Sequence, residues 1–233
     1  EANENALKAA RYYTGRHKVL SRYRSYHGAT NTCMQLTGDP RRIPNEPGGA
    51  GFVKVMDPWP YNYKFGDDEE EITRNNLKYL EEVIMYEGPD KIAAMFIETV
   101  TGTNGILPPP KGYLQGLRKL LDKYGILLVC DEVMAGWGRT GKLFAFEHGG
   151  IVPDIVTMAK GLTSSYIPLG AMGMRFRVRR CMGCGGEAGG RQSRGAREQF
   201  QRPLRSPAED LQKVEGIVSG LVGRIHRGRS PSR

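Results

Sequence analysis

Three short apolar runs, each followed within two residues by a charged side chain, constrain the fold of this chain more than any other feature. The runs cover residues 92–97, 126–130 and 155–158, and the charged residues after them are Glu98, Asp131 and Lys160. Runs of this length are typical of strands buried on both faces, and helical patterns lie between them. The sequence therefore predicts an α/β fold with a doubly wound, mostly parallel sheet.

The rest of the first 175 residues fits this alternation. Residues 3–14 have helical periodicity and stop at a glycine, whereas residues 18–22 and 52–56 are predicted strands. Residues 67–87 are predicted as a long helix, because acidic side chains crowd its first turn and Gly-Pro follows its end. Residues 110–124 are predicted as a helix with leucines on one face.

Charge divides the chain at about residue 175. The net charge is +9, which taken whole would suggest a nucleic-acid partner. Residues 1–175, however, have 21 basic and 20 acidic side chains, and residues 176–233 have 13 and 5. We predict a folded region over 1–175 and an irregular, Arg/Gly-rich, low-complexity tail over 176–233. That tail is either a disordered segment or the product of GC-rich DNA read out of frame.

Composition excludes several classes of protein. A hydrophobic content of 39% excludes a wholly disordered chain. Because no run approaches 18 apolar residues and no secretory signal opens the sequence, we expect no membrane span and a cytoplasmic protein. The first residues look like a start part-way through a longer sequence. Cys181 and Cys184, with His226 as the only later histidine, make at most half a zinc site, so no metal is expected.

The charged residues at the strand ends suggest a particular chemistry. In an open α/β sheet, ligand-binding groups collect at the carboxyl ends of the strands. Lys160 just past a buried strand could be a desolvated, nucleophilic amine, and Asp131 could hold a heteroaromatic nitrogen protonated. Pyridoxal phosphate requires this pair. The spacing alone also fits a solvated surface lysine, a turn-capping Asp-Glu and, for His27, a loop hydrogen bond.

A resemblance favours the first interpretation. Residues 128–141, with Asp131-Glu132-Val133 and a Trp-Gly-Arg-Thr-Gly end, followed by 153–161, resemble the signature of class III pyridoxal-phosphate aminotransferases of fold type I. Tyr26-His27-Gly28 resembles the ring-stacking turn of that family, and 98–105 its Glu-containing strand-end loop. The similarity covers residues 1 to about 174 and is greatest to the ω-amino acid:pyruvate and taurine:pyruvate branch.

The resemblance implies a role for each matching residue. Lys160 would be the catalytic Schiff-base lysine, and Asp131 would bond the pyridine nitrogen. Val133 and Tyr26 would pack on the two ring faces, with Glu98 as a polar anchor behind them. The implied reaction moves an amino group from an ω-amino acid or amine to a keto acid such as pyruvate. The implied assembly is a homodimer.

Some residues depart from the family pattern. Met134 stands where many relatives have a Gln that reaches the cofactor hydroxyl, and Thr103 replaces the second Glu of the 4-aminobutyrate and ornithine branches. The phosphate-binding Gly-Ser would precede Glu1, and the phosphate-binding Thr and carboxylate-binding Arg would follow Arg175. We therefore expect this chain alone to bind the cofactor poorly and to turn over little.

Two alternatives stay open at this point. The chain could be a non-catalytic remnant of an aminotransferase, which would share every motif. It could instead bind nucleic acid through residues 176–233, although aromatic side chains are nearly absent there and no Arg-Gly-Gly repeat occurs.

Overall fold

The structure, a computed structural model, describes residues 1–178 of the 233-residue chain. The α-helices are α1 (Ala2–Thr14), α2 (Asn31–Leu36), α3 (Glu69–Glu87) and α4 (Tyr113–Tyr124). The strands are β1 (Lys18–Arg22), β2 (Phe52–Val55), β3 (Ile92–Glu98), β4 (Leu127–Asp131), β5 (Ile155–Met158) and β6 (Ala171–Met174). Short 3-10 helices cover Pro40–Asn45, Ala145–Gly149 and Lys160–Thr163.

The six strands form one sheet in the order β2-β1-β3-β4-β5-β6. The first five are parallel to their neighbours, and β6 runs antiparallel to β5. This arrangement confirms the predicted α/β fold with a mostly parallel sheet. The order also changes direction between β1 and β3, which puts loops from both halves of the sheet at its carboxyl edge.

Each face of the sheet has its own apolar core, as the continuous apolar strands require. Along β3, Phe96 packs with α1, whereas Met95 and Ile97 belong to the core beneath α3 and α4. Successive side chains of a strand point to opposite faces, so a run that is buried on both faces must be apolar throughout. The sheet is therefore the middle layer of a three-layer domain.

Two helices begin later than predicted. Helix α3 begins at Glu69 rather than at Asp67, because Asp68 is its N-cap and accepts from the Glu71 N–H. Helix α4 begins at Tyr113 rather than at Pro110, because Gly112 precedes it with φ +77°, outside the helical region. Helix α1 ends as predicted, with Gly15 in the left-handed region at φ +66°.

Two further predictions concern parts of the chain that the structure describes incompletely. Residues 179–233, which hold most of the predicted tail, lie outside the described residues, so the proposed division at 175 stays a prediction. Of the helices that are described, none has the length and apolarity needed to cross a membrane.

Candidate active site

Strand register aligns three polar residues at the carboxyl edge of the sheet. Glu98 on β3 pairs with Asp131 on β4, which in turn pairs with Thr157 on β5. Paired residues of a parallel sheet point to the same face, and here that face is the one covered by α1. The row therefore brings two carboxyl groups and a hydroxyl together beside the first turn of α1.

A cleft of about 140 Å³ opens over this row. All five residues that were predicted for the site line this cleft, and six further residues line it as well. The nominated residues lining the cleft are Lys160, Asp131, Val133, Tyr26 and Glu98. The additional lining residues are Asn3, His27, Gly28, Arg41, Thr103 and Met134.

Asp131 is held from several directions. Its side chain is 4% exposed, and its Oδ2 accepts hydrogen bonds from Asn3 Nδ2 at 2.8 Å and from His27 Nδ1 at 2.9 Å. Its Oδ1 accepts from the backbone N–H of Val133 at 3.1 Å. These contacts fix the orientation of the Asp131 carboxyl group at the floor of the cleft.

Glu98 ties two loops of the cleft to β3. Its Oε1 accepts from the backbone N–H of Tyr26 and its Oε2 from that of Gly102, both at 2.8 Å. Burial raises the pKa of the Glu98 carboxyl, and these backbone donors oppose the shift. The predicted polar anchor thus acts on the backbone of the loops that carry Tyr26 and Thr103.

Lys160 differs from expectation in its burial. The strand-end position suggested a desolvated amine, but the structure leaves Lys160 exposed, at the start of a 3-10 helix two residues beyond the end of β5. Its backbone lies in the left-handed region at φ +46°, an uncommon conformation for a residue other than glycine. Strained conformations of this kind concentrate at functional sites.

The two signature segments pack against each other next to this lysine. A Cβ added to Gly161 would meet the Cβ of Trp137 at 2.6 Å, so the residue after Lys160 must be glycine for Trp137 to approach. The 3-10 helix that begins at Lys160 is thereby fixed to the loop that follows β4.

Tyr26 and Val133 are half-buried and face the cleft from different strand-end loops. The Arg41 guanidinium lies over the Tyr26 ring, with its Cζ 3.8 Å from the ring centroid. Arg41 also forms an ion pair with Asp39 and donates to Thr103 Oγ1 at 2.8 Å. The hydrogen bonds and charge of Asp39 raise the pKa of Arg41, so this side chain stays cationic.

Glu132 follows Asp131 in sequence but does not belong to the cleft. It is fully buried, and its carboxylate accepts from the backbone N–H groups of Ala145 and Phe146 at 3.0 Å. The capping interpretation of the Asp-Glu pair therefore describes Glu132, whereas Asp131 also lines the cleft.

Within residues 1–178, no group of three or more His, Cys, Asp or Glu side chains could hold a metal ion. Cys181, Cys184 and His226 lie outside that range.

Comparison with known proteins shows the family. The family model described as "Aminotransferase class-III" matches residues 1–191. A probable aminotransferase of Mycobacterium tuberculosis is 42% identical over 179 residues, covering 74% of this chain and 38% of the relative. The taurine–pyruvate aminotransferase of Bilophila wadsworthia is also 42% identical, with 72% of this chain and 38% of the relative covered. The chain thus spans about two fifths of the length of these curated relatives.

Solved structures of aminotransferases resemble this chain in fold. A taurine:2-oxoglutarate aminotransferase from Bifidobacterium kashiwanohense, in complex with PLP and glutamate, is 43% identical with a TM-score of 0.75, covering 87% of this chain and 44% of that one. An (S)-enantioselective omega-transaminase from Thermomicrobium roseum is 40% identical with a TM-score of 0.76, covering 80% and 43%.

Proposed function

This chain belongs to the class III aminotransferase family, and from that premise we propose that it carries the lysine-bearing, ring-binding part of an aminotransferase site that uses pyridoxal 5'-phosphate. The protein transfers an amino group from an ω-amino acid or amine donor to a keto acid such as pyruvate. One observation carries the proposal: Lys160, Asp131, Tyr26 and Val133 come from separate segments and line a single cleft.

These side chains fit the cofactor by their chemistry. Pyridoxal phosphate, when bound, supplies an electron sink that stabilises negative charge on the substrate carbon. Asp131 is held in place by three hydrogen-bond donors and has the charge to keep a ring nitrogen protonated. Tyr26 and Val133 supply the aromatic and apolar surfaces that a flat ring needs. An exposed amine at Lys160 is free to bond an aldehyde and to move a proton.

The cleft has one guanidinium that can meet an acidic group of a substrate. Arg41 adds a cationic group to the lining, and among the described residues its Nη1 has no hydrogen-bond partner. Thr103 occupies the position at which some branches have a glutamate, so no second carboxylate competes for this guanidinium there. We infer that the donor or the acceptor presents a carboxylate or sulfonate. Two of the similar proteins are named as aminotransferases of taurine, which is a sulfonate.

We further propose a homodimer in the cytoplasm. The segment after Lys160 exposes Tyr166 and Ile167, at 88% and 52% of their surface, which a second copy would cover. Cys33 and Cys130 are buried free thiols, which suits a reducing compartment.

A direct assay separates an enzyme from a non-catalytic remnant. The chain is incubated with saturating pyridoxal phosphate, taurine or β-alanine, and pyruvate, and alanine formation is measured. We expect slow alanine formation that Lys160→Ala abolishes and that Lys142→Ala, at another exposed lysine, leaves unchanged. Equal rates for the parent and Lys160→Ala would favour the remnant.

A further inference from the structure

The loop after β3 lines the cleft through Thr103 and contains a strained residue. Thr101 and Leu107 each donate the backbone N–H to the carbonyl oxygen of the other at 3.0 Å, which closes residues 101–107 into a loop. Ile106 has φ +53°, a conformation that β-branched residues rarely adopt. Such strain persists only where the surrounding structure holds the backbone in place. The loop must therefore be fixed by contacts with its neighbours.

Arg24 fixes the loop from a neighbouring strand-end segment. Its Nη2 donates to the carbonyl oxygen of Asn104 at 2.7 Å, and its Nη1 donates to that of Trp59 at 2.8 Å. The backbone N–H of Arg24 donates to Oδ2 of the buried Asp57 at 2.8 Å. A planar guanidinium with both terminal nitrogens engaged is held in one orientation. Arg24 thus ties the loop to the segments that follow β1 and β2.

The tip of the loop also contacts an ion pair. Thr103 Oγ1 accepts from Arg41 Nη2 at 2.8 Å, and Asn104 Nδ2 donates to Asp39 Oδ2 at 3.1 Å. A carboxylate only accepts hydrogen bonds, so the amide of Asn104 must present its nitrogen to Asp39. Burial raises the pKa of Asp39, but the hydrogen bonds from Arg41 and Asn104 outweigh burial and hold the pKa below its ordinary value of 3.8. The loop therefore helps to keep Asp39 charged and paired.

The ion pair leaves one nitrogen of Arg41 available. The Asp39 side chain is 5% exposed and binds Arg41 through Nε and Nη2, whereas the Arg41 side chain is 47% exposed. Arg41 lines the cleft, and its Nη1 has no hydrogen-bond partner among residues 1–178. An unrestrained arginine would lose rotamer freedom each time it bound a ligand, which weakens binding. Holding the ion pair in place therefore prepares Nη1 for an acidic group.

We propose that Asn104 and Arg24 are specificity-determining positioning residues, since Asn104 orients the Asp39–Arg41 pair and Arg24 fixes the loop that carries Asn104. The role in substrate selection rests on the proposed function, in which Arg41 meets the acidic group of the donor or acceptor. The hydrogen bonds between the loop and the ion pair do not depend on that function. Neither Asn104 nor Arg24 lines the cleft, so both act through Arg41.

The first measurement is the exchange of the Arg41 Nε–H with water in the cofactor-free chain at pH 7, followed by nitrogen NMR. Asn104→Ala should speed this exchange about threefold, because the ion pair loses one of its supports. Arg24→Lys keeps the charge but loses the planar fork, and should speed the exchange by a similar factor without touching the pair. Asn62→Ala, at an exposed asparagine, is the control and should leave the exchange unchanged. Unchanged exchange in both Asn104→Ala and Arg24→Lys would overturn the positioning role.

The second measurement compares KM for taurine with KM for propylamine, an amine without an acidic group, at saturating pyridoxal phosphate and pyruvate. Asn104→Ala and Arg24→Lys should each raise KM for taurine about threefold, as expected for the indirect loss of one hydrogen bond, and leave kcat and KM for propylamine unchanged. In an Arg41→Met background, Asn104→Ala should have no further effect, because it acts through Arg41. Equal changes for the two donors, or an undiminished effect in that background, would refute the role in specificity.

Failure of the proposed function gives a different pattern. A parent chain that transfers no amino group from either donor would overturn the proposed function and the specificity role with it. Unchanged Arg41 exchange in an active chain would instead overturn the positioning role alone.

Discussion

Asp154→Asn should destabilise the folded chain by about 4 kcal/mol at pH 7, the range expected when one partner of a buried ion pair is removed. Asp154 is fully buried just before β5, and its Oδ2 accepts from Arg118 Nη1 at 2.8 Å and from the Leu128 N–H at 2.9 Å. Arg177 forms a further ion pair with its Oδ1. Asparagine keeps the size but loses the charge, which leaves two guanidinium groups next to a neutral amide.

The pH dependence of this effect follows from the direction of the pKa shift. Burial raises the pKa of Asp154, but Arg118, Arg177 and the Leu128 N–H outweigh it and hold the pKa below the ordinary value of 3.8. A lowered pKa in the folded state contributes stability above the unfolded-state pKa, and that stability is lost as pH falls through the folded pKa. The difference between the parent and Asp154→Asn should therefore be constant from pH 7 to about pH 5 and shrink only below about pH 4.

Urea unfolding followed by circular dichroism measures the loss. With a slope of about 2 kcal/mol/M, the midpoint should fall by about 2 M. Asp122→Asn is the matched control, because Asp122 pairs with the same Arg118 at 2.7 Å but is 42% exposed. This exposed pair should cost less than about 1 kcal/mol. Similar urea midpoints for the two variants would refute the view that the buried Asp154 carboxylate stabilises the fold more than the exposed Asp122 does.

Two other substitutions test the loop and the cleft. Gly38→Ala should lower the free energy of unfolding by about 3 kcal/mol, measured by heat or urea, because the new Cβ would meet the Arg22 carbonyl oxygen at 2.1 Å. Gly170→Ala is the control and should cost little, because the nearest atom to its new Cβ would be 3.4 Å away. Comparable losses of stability in the two variants would contradict the close approach at Gly38. Arg41→Met should raise the KM for a sulfonate or carboxylate donor about tenfold and leave that for an uncharged amine donor unchanged, with Arg42→Met, outside the cleft lining, as control. An equal change for both donors would exclude Arg41 from acid recognition.

The strands could be predicted because their burial on both faces imposes a simple pattern. The runs at 92–97, 126–130 and 155–158 are continuous and apolar, and each became a central strand. Strand β6 was missed, since Ala171-Met172-Gly173-Met174 has no β-branched or aromatic residue and is stabilised by pairing with β5. Helix α2, with six residues, is too short to show a helical period.

Only part of the cleft could be predicted from the sequence, because some of its residues do not directly follow a strand. Lys160, Asp131 and Glu98 were identifiable because they follow strands directly. Asn3 lies on α1 and Arg41 on the 3-10 helix Pro40–Asn45, and both elements approach the cleft only through tertiary folding. Nothing in their local sequence separates these two residues from surface residues. The polar Thr157 within an apolar run was an available signal, because its register fixes it beside Asp131.

The most direct test of the central claim is to locate the lysine that bonds the cofactor. The chain is mixed with pyridoxal phosphate, reduced with borohydride, digested and analysed by mass spectrometry. Our account predicts that the phosphopyridoxyl group is found predominantly on Lys160 and that Asp131→Ala lowers its yield at this lysine. Labelling spread over exposed lysines such as Lys142, with no preference for Lys160, would contradict it.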